Sequence, residues 1–225
     1  MRFNSIVRSI HQASIGVAVL SAAFVCTGEE AGKEAGKGKE VAPPTAVAPA
    51  EELSSQSKEM LNAANEMAKE ITSVIEGWLK AGAVSEEKLF SYLYYPVIDT
   101  EPTKYTTDWD GLADRDFPAI LEKYLAKSSM VIFTVPIDKN GYIPTHNRQF
   151  SQPLTGNRAV DLVQNRAKRI FGDQVGFRAA RNTKPYLLQS YARDTGEVIA
   201  DISVPVKIRG RHWGAVRIGY RVVEH

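Results

Sequence analysis

Asn165, Arg166, Lys168 and Arg169 lie within five positions of one another. The pattern over 157–171 reads as helical. On a helix Arg166 and Arg169 share a face at i and i+3, and Asn165 and Arg169 share one at i and i+4. Two guanidinium forks beside a carboxamide suit a carboxylate or phosphate, because each fork can donate two parallel hydrogen bonds to one anionic group. A solvated basic face, or ion pairs with acidic residues elsewhere in the chain, would use the same residues without a ligand. The sequence leaves both readings open. Arg178, Arg181 and Asn182 form a second group of this kind, with Arg181 the stronger ligand candidate. On a strand over 185–193, Gln189, Tyr191 and Arg193 project from one face by the two-residue period. They line a site if that face is the inner one and a surface if it is the outer.

His146 stands at a strand end beside Asn147. Three roles fit it: a locally bonded core histidine, a ligand contact, or an axial ligand to non-covalent haem. His212 precedes Trp213 at a hairpin, where the tryptophan is expected in the core and the histidine at the surface. No HxxxH or HxE spacing occurs, so no zinc site is expected. Ser151 and Ser190 lack a GxSxG setting and no glycine-rich phosphate loop follows a strand. No catalytic residue is assigned, and an enzyme is not expected.

The composition limits the class of protein. The chain has 225 residues, 44% apolar and 24% charged, which is globular usage. A single cysteine excludes a disulfide framework or a CxxC site. A net charge of +2 argues against a nucleic-acid partner. That small total is a cancellation. Residues 53–140 carry nine basic and fourteen acidic residues, whereas 141–225 carry fourteen basic and six acidic ones.

The elements that must position these groups follow from charge and period. Arg2 and Arg8 precede an uncharged apolar run, 13–25, that ends at Cys26. This is the pattern of an export signal over 1–26. Cys26 is the candidate lipid anchor, although Phe24 and Val25 are larger than a lipoprotein signal favours; an ordinary cleaved signal is the alternative. Residues 27–50, rich in Gly, Ala, Lys, Glu and then Pro, read as a flexible linker. A long helix is expected over 51–82, with Leu53, Met60, Ala64, Met67, Ile71, Val74 and Trp78 forming a stripe. That stripe packs either on the chain's own sheet or on a second copy, as a homodimer. The remaining domain, 83–225, opens with a short helix after Ser85, a long loop over 95–111 and a helix over 112–126. Strands are expected at 130–137, 142–145, 185–193, 197–208 and 212–223, with tight turns at 138–141, 194–196 and 209–211. Helices at 157–171 and 173–180 separate the second and third strands. The fold class is α+β: a five-stranded antiparallel sheet with inserted helices and a long N-terminal helix.

YPVIDTEPTKYTT (95–107), DKNGYIPTHN (138–147), FSQPLTG (150–156), NRAKRIF (165–171), FRAARN (177–182), PYLLQSYARDTGEV (185–198) and GRHWGAVRIGY (210–220) occur in this order. From about Leu89 to Tyr220 the chain resembles the PAS/Cache-like sensory domain of bacterial methyl-accepting chemotaxis proteins. The resemblance implies a ligand held between the sheet and the inserted helices. Tyr142, His146, Asn165, Arg166, Arg169, Arg181, Tyr191 and Arg193 are the expected contacts. It further implies a module that senses a small molecule; the paired arginines suggest an anionic one, the export pattern a periplasmic or envelope location, and the missing catalytic motifs a non-enzymatic role. Lacking the family's methylated signalling hairpin, such a module would act through a membrane-bound signalling partner. Some relatives carry covalent c-type haem, but no CxxCH motif is present here, which excludes that attachment. Two alternatives stay open: a redox or haem protein using His146 without covalent attachment, and an envelope interaction protein with a vestigial pocket.

Overall fold

Helix α1 (Ser55–Lys80) is the longest element of the computed structural model, which describes residues 53–193 and 196–222. The expected export signal over 1–26 with Cys26, and the expected linker over 27–50, lie outside the described residues. The Ser54 hydroxyl caps α1 by accepting the Ser57 amide at 3.1 Å, filling one of the unpaired donors at a helix start. Met60, Ala64, Met67, Ile71, Ile75 and Trp78 are buried along one side. They face the chain's own sheet, in a core shared with Ile202, Val204, Val206, Val216 and Ile218. Of the two packings open to this stripe, the one on the chain's own sheet accounts for these buried residues. Ser57 interrupts the apolar stripe because it faces the Tyr220 hydroxyl, which donates to its Oγ at 2.9 Å.

The chain continues through α2 (Glu86–Leu89), capped by Ser85 as its spacing predicts, into a two-stranded hairpin of β1 (Tyr95–Val97) and β2 (Lys104–Thr106). The loop expected over 95–111 thus holds a hairpin. Helix α3 (Asp110–Leu125) then packs beside α1 on the same core, contributing Ala113, Phe117, Leu121 and Tyr124.

The main sheet comprises β3 (Val131–Asp138), β6 (Leu187–Ala192), β7 (Val198–Ile208) and β8 (Arg211–Tyr220), in the order β3-β8-β7-β6 and antiparallel throughout. Alternation along β7 sends Ala200, Ile202, Val204, Val206 and Ile208 toward α1, and Ile199, Asp201 and Ser203 to the opposite face. That second face carries an apolar group of Phe133, Val135, Ile137, Ile199 and Ala215. It is covered by Ile143, Phe150, Phe171 and Ala180.

The α+β class and the long N-terminal helix agree with the sequence, but the sheet has four strands among the described residues. The expected fifth strand shortens to β4 (Tyr142–Ile143), which pairs with β5 (Arg169–Ile170). The Asp138 carboxylate accounts for this departure. It accepts the backbone amides of Asn140 and Tyr142, both at 2.9 Å, and turns the chain away from β3. The backbone bonds of 141–152 then go to the facing segment: Phe171 N–H to Gly141 O, Lys168 N–H to Ile143 O, and Arg166 N–H to Phe150 O. This pairing lays 165–166 and 169–171 along the facing segment, on either side of a turn at Ala167 and Lys168. The helix expected over 157–171 accordingly stops as α4 (Arg158–Gln164), with Lys168 in a left-handed conformation at φ 60°. Helix α5 (Gln174–Ala180) follows, capped by Asp173. At Gly176 a Cβ would lie 2.5 Å from the Phe171 carbonyl oxygen, so only glycine allows this close approach.

Asp138 also accepts the Tyr94 hydroxyl at 2.5 Å. Burial pushes its carboxyl up from 3.8 to about 6, against the pull of Tyr94 and the two amides. The folded chain therefore holds this proton more tightly than the unfolded chain. The resulting stabilisation is complete below about pH 4 and is lost as pH rises through about 6. Urea unfolding of the wild type and Asp138→Asn across this range should show the wild type losing stability relative to the variant between those limits. A constant difference would show that Asp138 does not titrate there.

Candidate ligand-binding site

The second face of the sheet holds a charged group where apolar residues would be the default. Arg217 on β8 and Asp201 on β7 are 5% and 0% exposed. The Arg217 guanidinium donates to Asp201 Oδ2 through Nε at 3.1 Å and through Nη2 in a shorter contact. The Tyr191 hydroxyl, from β6, donates to the same oxygen at 2.9 Å. Burial opposes the charge on Arg217, but the Asp201 carboxylate more than offsets it, and the guanidinium stays protonated. Burial, with Asp201 beside it, likewise holds Tyr191 neutral. The unused Asp201 Oδ1 and the neighbouring Gln189 Oε1 are buried without a hydrogen-bond partner. These two residues face each other across β6 and β7.

Above this floor, guanidinium groups lie against aromatic faces. Arg166 and Arg169 stand 5.3 and 4.9 Å from the Phe171 ring centre. Arg193 lies 5.3 Å from Phe150 and 5.9 Å from Phe133, and Arg217 lies 5.8 Å from Phe133. Stacking of this kind fixes the plane of a guanidinium, and Arg169 is further held by donating to the Leu162 carbonyl oxygen at 3.1 Å. The Phe133 ring lies across β8 at Gly219, where a Cβ would collide with it.

His146 is buried between Phe133 and Phe150, with ring centres 6.0 and 4.9 Å away. Burial first, and then Arg166, Arg193, Arg217 and Arg169, hold its pKa well below the usual histidine value. The imidazole is neutral at physiological pH. Its Nδ1 accepts the Asn147 amide at 2.8 Å, so the proton of the neutral ring is on Nε2. Asn147 is anchored in turn, accepting the Thr134 amide at 2.7 Å and donating to the Thr134 hydroxyl. A histidine bound to iron needs a bare nitrogen, with its other ring nitrogen usually acting as a donor. His146 presents the opposite tautomer and does not fit an axial haem ligand. Among the described residues no group of three or more His, Cys, Asp or Glu could hold a metal ion.

The structure brings His146, Arg166, Arg169, Tyr191 and Arg193 to this one covered region. The face bearing Gln189, Tyr191 and Arg193, left open by the sequence, is the inner one. Arg166 and Arg169 meet through a shared ring across the turn at Ala167 and Lys168, not through a helical face. Asn165 supports them from behind: its Nδ2 donates to Gln152 O at 2.6 Å, and its Oδ1 accepts from Lys104. Tyr142 is not part of the group. It is wholly buried in the core shared with α1 and α3, where its hydroxyl donates to Asp110 at 2.7 Å. Arg181 is exposed at the end of α5, over Phe177. Cys26 lies outside the described residues.

Sequence reasoning did not single out Asp201, Arg217, Phe133, Phe150 or Asn147. One signal was available for the first two. In GAVRIGY (214–220) and VIADIS (198–203) a single charge interrupts an otherwise uncharged strand segment, and an interior charge requires a partner. Removing one member of the pair leaves the other buried and uncompensated, a cost of about 3–5 kcal/mol. Chemical unfolding of Asp201→Leu and Arg217→Met should each show a loss of that size. The double variant should recover much of it, and additive losses would contradict the pairing.

No protein-family profile matches the chain, and no curated protein matches it. Among solved structures it is similar to an extracellular ligand binding receptor from Desulfohalobium retbaense, at 17% identity and a TM-score of 0.34, with 75% of this chain covered. The chain spans about a quarter of that receptor's length, 26%.

Proposed function

We propose that this protein is a non-enzymatic sensory module that binds a small anionic molecule against the second face of its sheet. The reading is carried by one observation: four guanidinium groups and a neutral, locked histidine converge there among three phenylalanine rings. Arg166 and Arg169 receive the anionic group, His146 offers the Nε2 proton, and Phe133, Phe150 and Phe171 contact the ligand's apolar part. The resemblance to chemoreceptor sensory domains and the export pattern at the N-terminus support a periplasmic or envelope location and a signalling partner in the membrane.

The mechanism is a population shift, in which ligand favours one arrangement of the sheet and its cover. Strands β7 and β8 carry Asp201 and Arg217 on the ligand side and Ile202 and Ile218 on the α1 side. A displacement of the pair thereby reaches α1, whose first turn bonds to Tyr220. Calorimetric titration with a panel of carboxylates and phosphates is the direct test. At least one anion should bind saturably, and Arg166→Gln or Arg169→Gln should weaken it by about tenfold or more, the worth of a charge-assisted bond, without a loss of fold. Unchanged binding in both folded variants would overturn this reading.

A further inference from the structure

We propose that Lys104 is a positioning residue of this anion site: its ammonium clips the backbone on both sides of Arg166, and anion capture by Arg166 and Arg169 stabilises that ammonium in return. The inference rests on the anion-binding reading above. Lys104 lies on β2 and is 4% exposed. Its Nζ donates to Asn165 O at 2.8 Å, to Ala167 O at 2.7 Å and to Asn165 Oδ1. An ammonium has three donors, so all are used on the residues that flank Arg166.

The clip works against its own electrostatics. Burial lowers the Lys104 pKa to about 8, and Arg169, Arg166 and Lys168 push it the same way; Asp161 on α4 acts in the opposite direction. The Asp161 carboxylate is itself shared with the Thr155 and Gly156 amides. Lys168 pairs with Asp114 and Asp110 of α3. An anion settling on Arg166 and Arg169 adds negative potential at the point where three cations disfavour the ammonium. Ligand and proton therefore favour one another, and the coupling is reciprocal. Above the free-state pKa, binding should draw a proton onto Lys104. Loss of that proton should release the segment that carries Arg166.

The test is calorimetric titration of the full chain with benzoate and with inorganic sulfate, both of fixed charge over this range, at about pH 7 and about pH 9, on either side of the shifted lysine. At the higher pH it is repeated in two buffers of different ionisation enthalpy. Affinity in the wild type should fall roughly fivefold to tenfold between the two conditions, with proton uptake at the higher pH. Lys104→Met should bind more weakly at the lower pH and show neither the pH slope nor the uptake. Should that variant fail to fold, the wild-type slope and proton uptake still decide the matter. Binding to the wild type that is independent of pH, with no proton uptake, leaves the anion site standing and overturns the role of Lys104. Absence of saturable binding by either anion to the wild type counts against the anion-binding reading itself, and the inference falls with it.

Discussion

Two strands at the centre of this fold, β7 and β8, are buried on both faces, and most other features follow from that constraint. Helix α1 covers one face with a stripe that begins at Met60 and ends at Trp78. The opposite face must then be closed by the only long stretch between the first and the last three strands of the sheet. That stretch contains too little apolar surface for an ordinary second layer. It supplies Ile143, Phe150, Phe171 and Ala180, with polar and basic residues between them. The result is a cover in which aromatic rings and guanidinium groups do the packing together.

The two faces differ in what they tolerate. Toward α1 the contacts are aliphatic and aromatic, with the Ser57–Tyr220 bond as a polar exception at one end. On the other side, charge is admitted only with compensation. Arg217 has Asp201, and His146 gives up its charge altogether. The Lys104 ammonium is surrounded by carbonyl oxygens. Each is a different answer to the same desolvation cost. Together they concentrate fixed dipoles and cations in one region of a protein whose total charge is near zero, the ground on which anion binding is proposed.

Much of this was legible from local sequence. The apolar stripe defines α1, and the apolar runs bounded by DKNG and RGR define β3, β7 and β8. The alternation that aligned Gln189, Tyr191 and Arg193 was also sound, because the two-residue period survives in β6. What local pattern could not supply was pairing at long range. The residues 165–171 have good helical composition, yet their backbone groups bond to 141–150 and the segment turns at Ala167 and Lys168 instead of continuing the helix. Tertiary hydrogen bonds decided the matter over propensity. Tyr142 was misplaced for a related reason: once Asp138 turns the chain, its side chain enters the core beside Trp109 and Tyr94. Arg181 sits one residue beyond a helix whose end falls at the surface, which no periodicity reveals.

The alternation along β8 has a mechanical consequence. Arg217 points to the second face of the sheet and Ile218 to the α1 side; across β7, Ile202 stands opposite Ile218, and Asp201 reaches Arg217 on the diagonal from its place opposite Gly219. A slip of one residue would drive a guanidinium into the aliphatic layer under α1 and leave a carboxylate opposite it without a partner. The ion pair thus works as a key cut for a single alignment of the central strands. A sheet pinned in this way can transmit a tilt or a small shear between its layers, but it cannot relax by sliding one strand past the next.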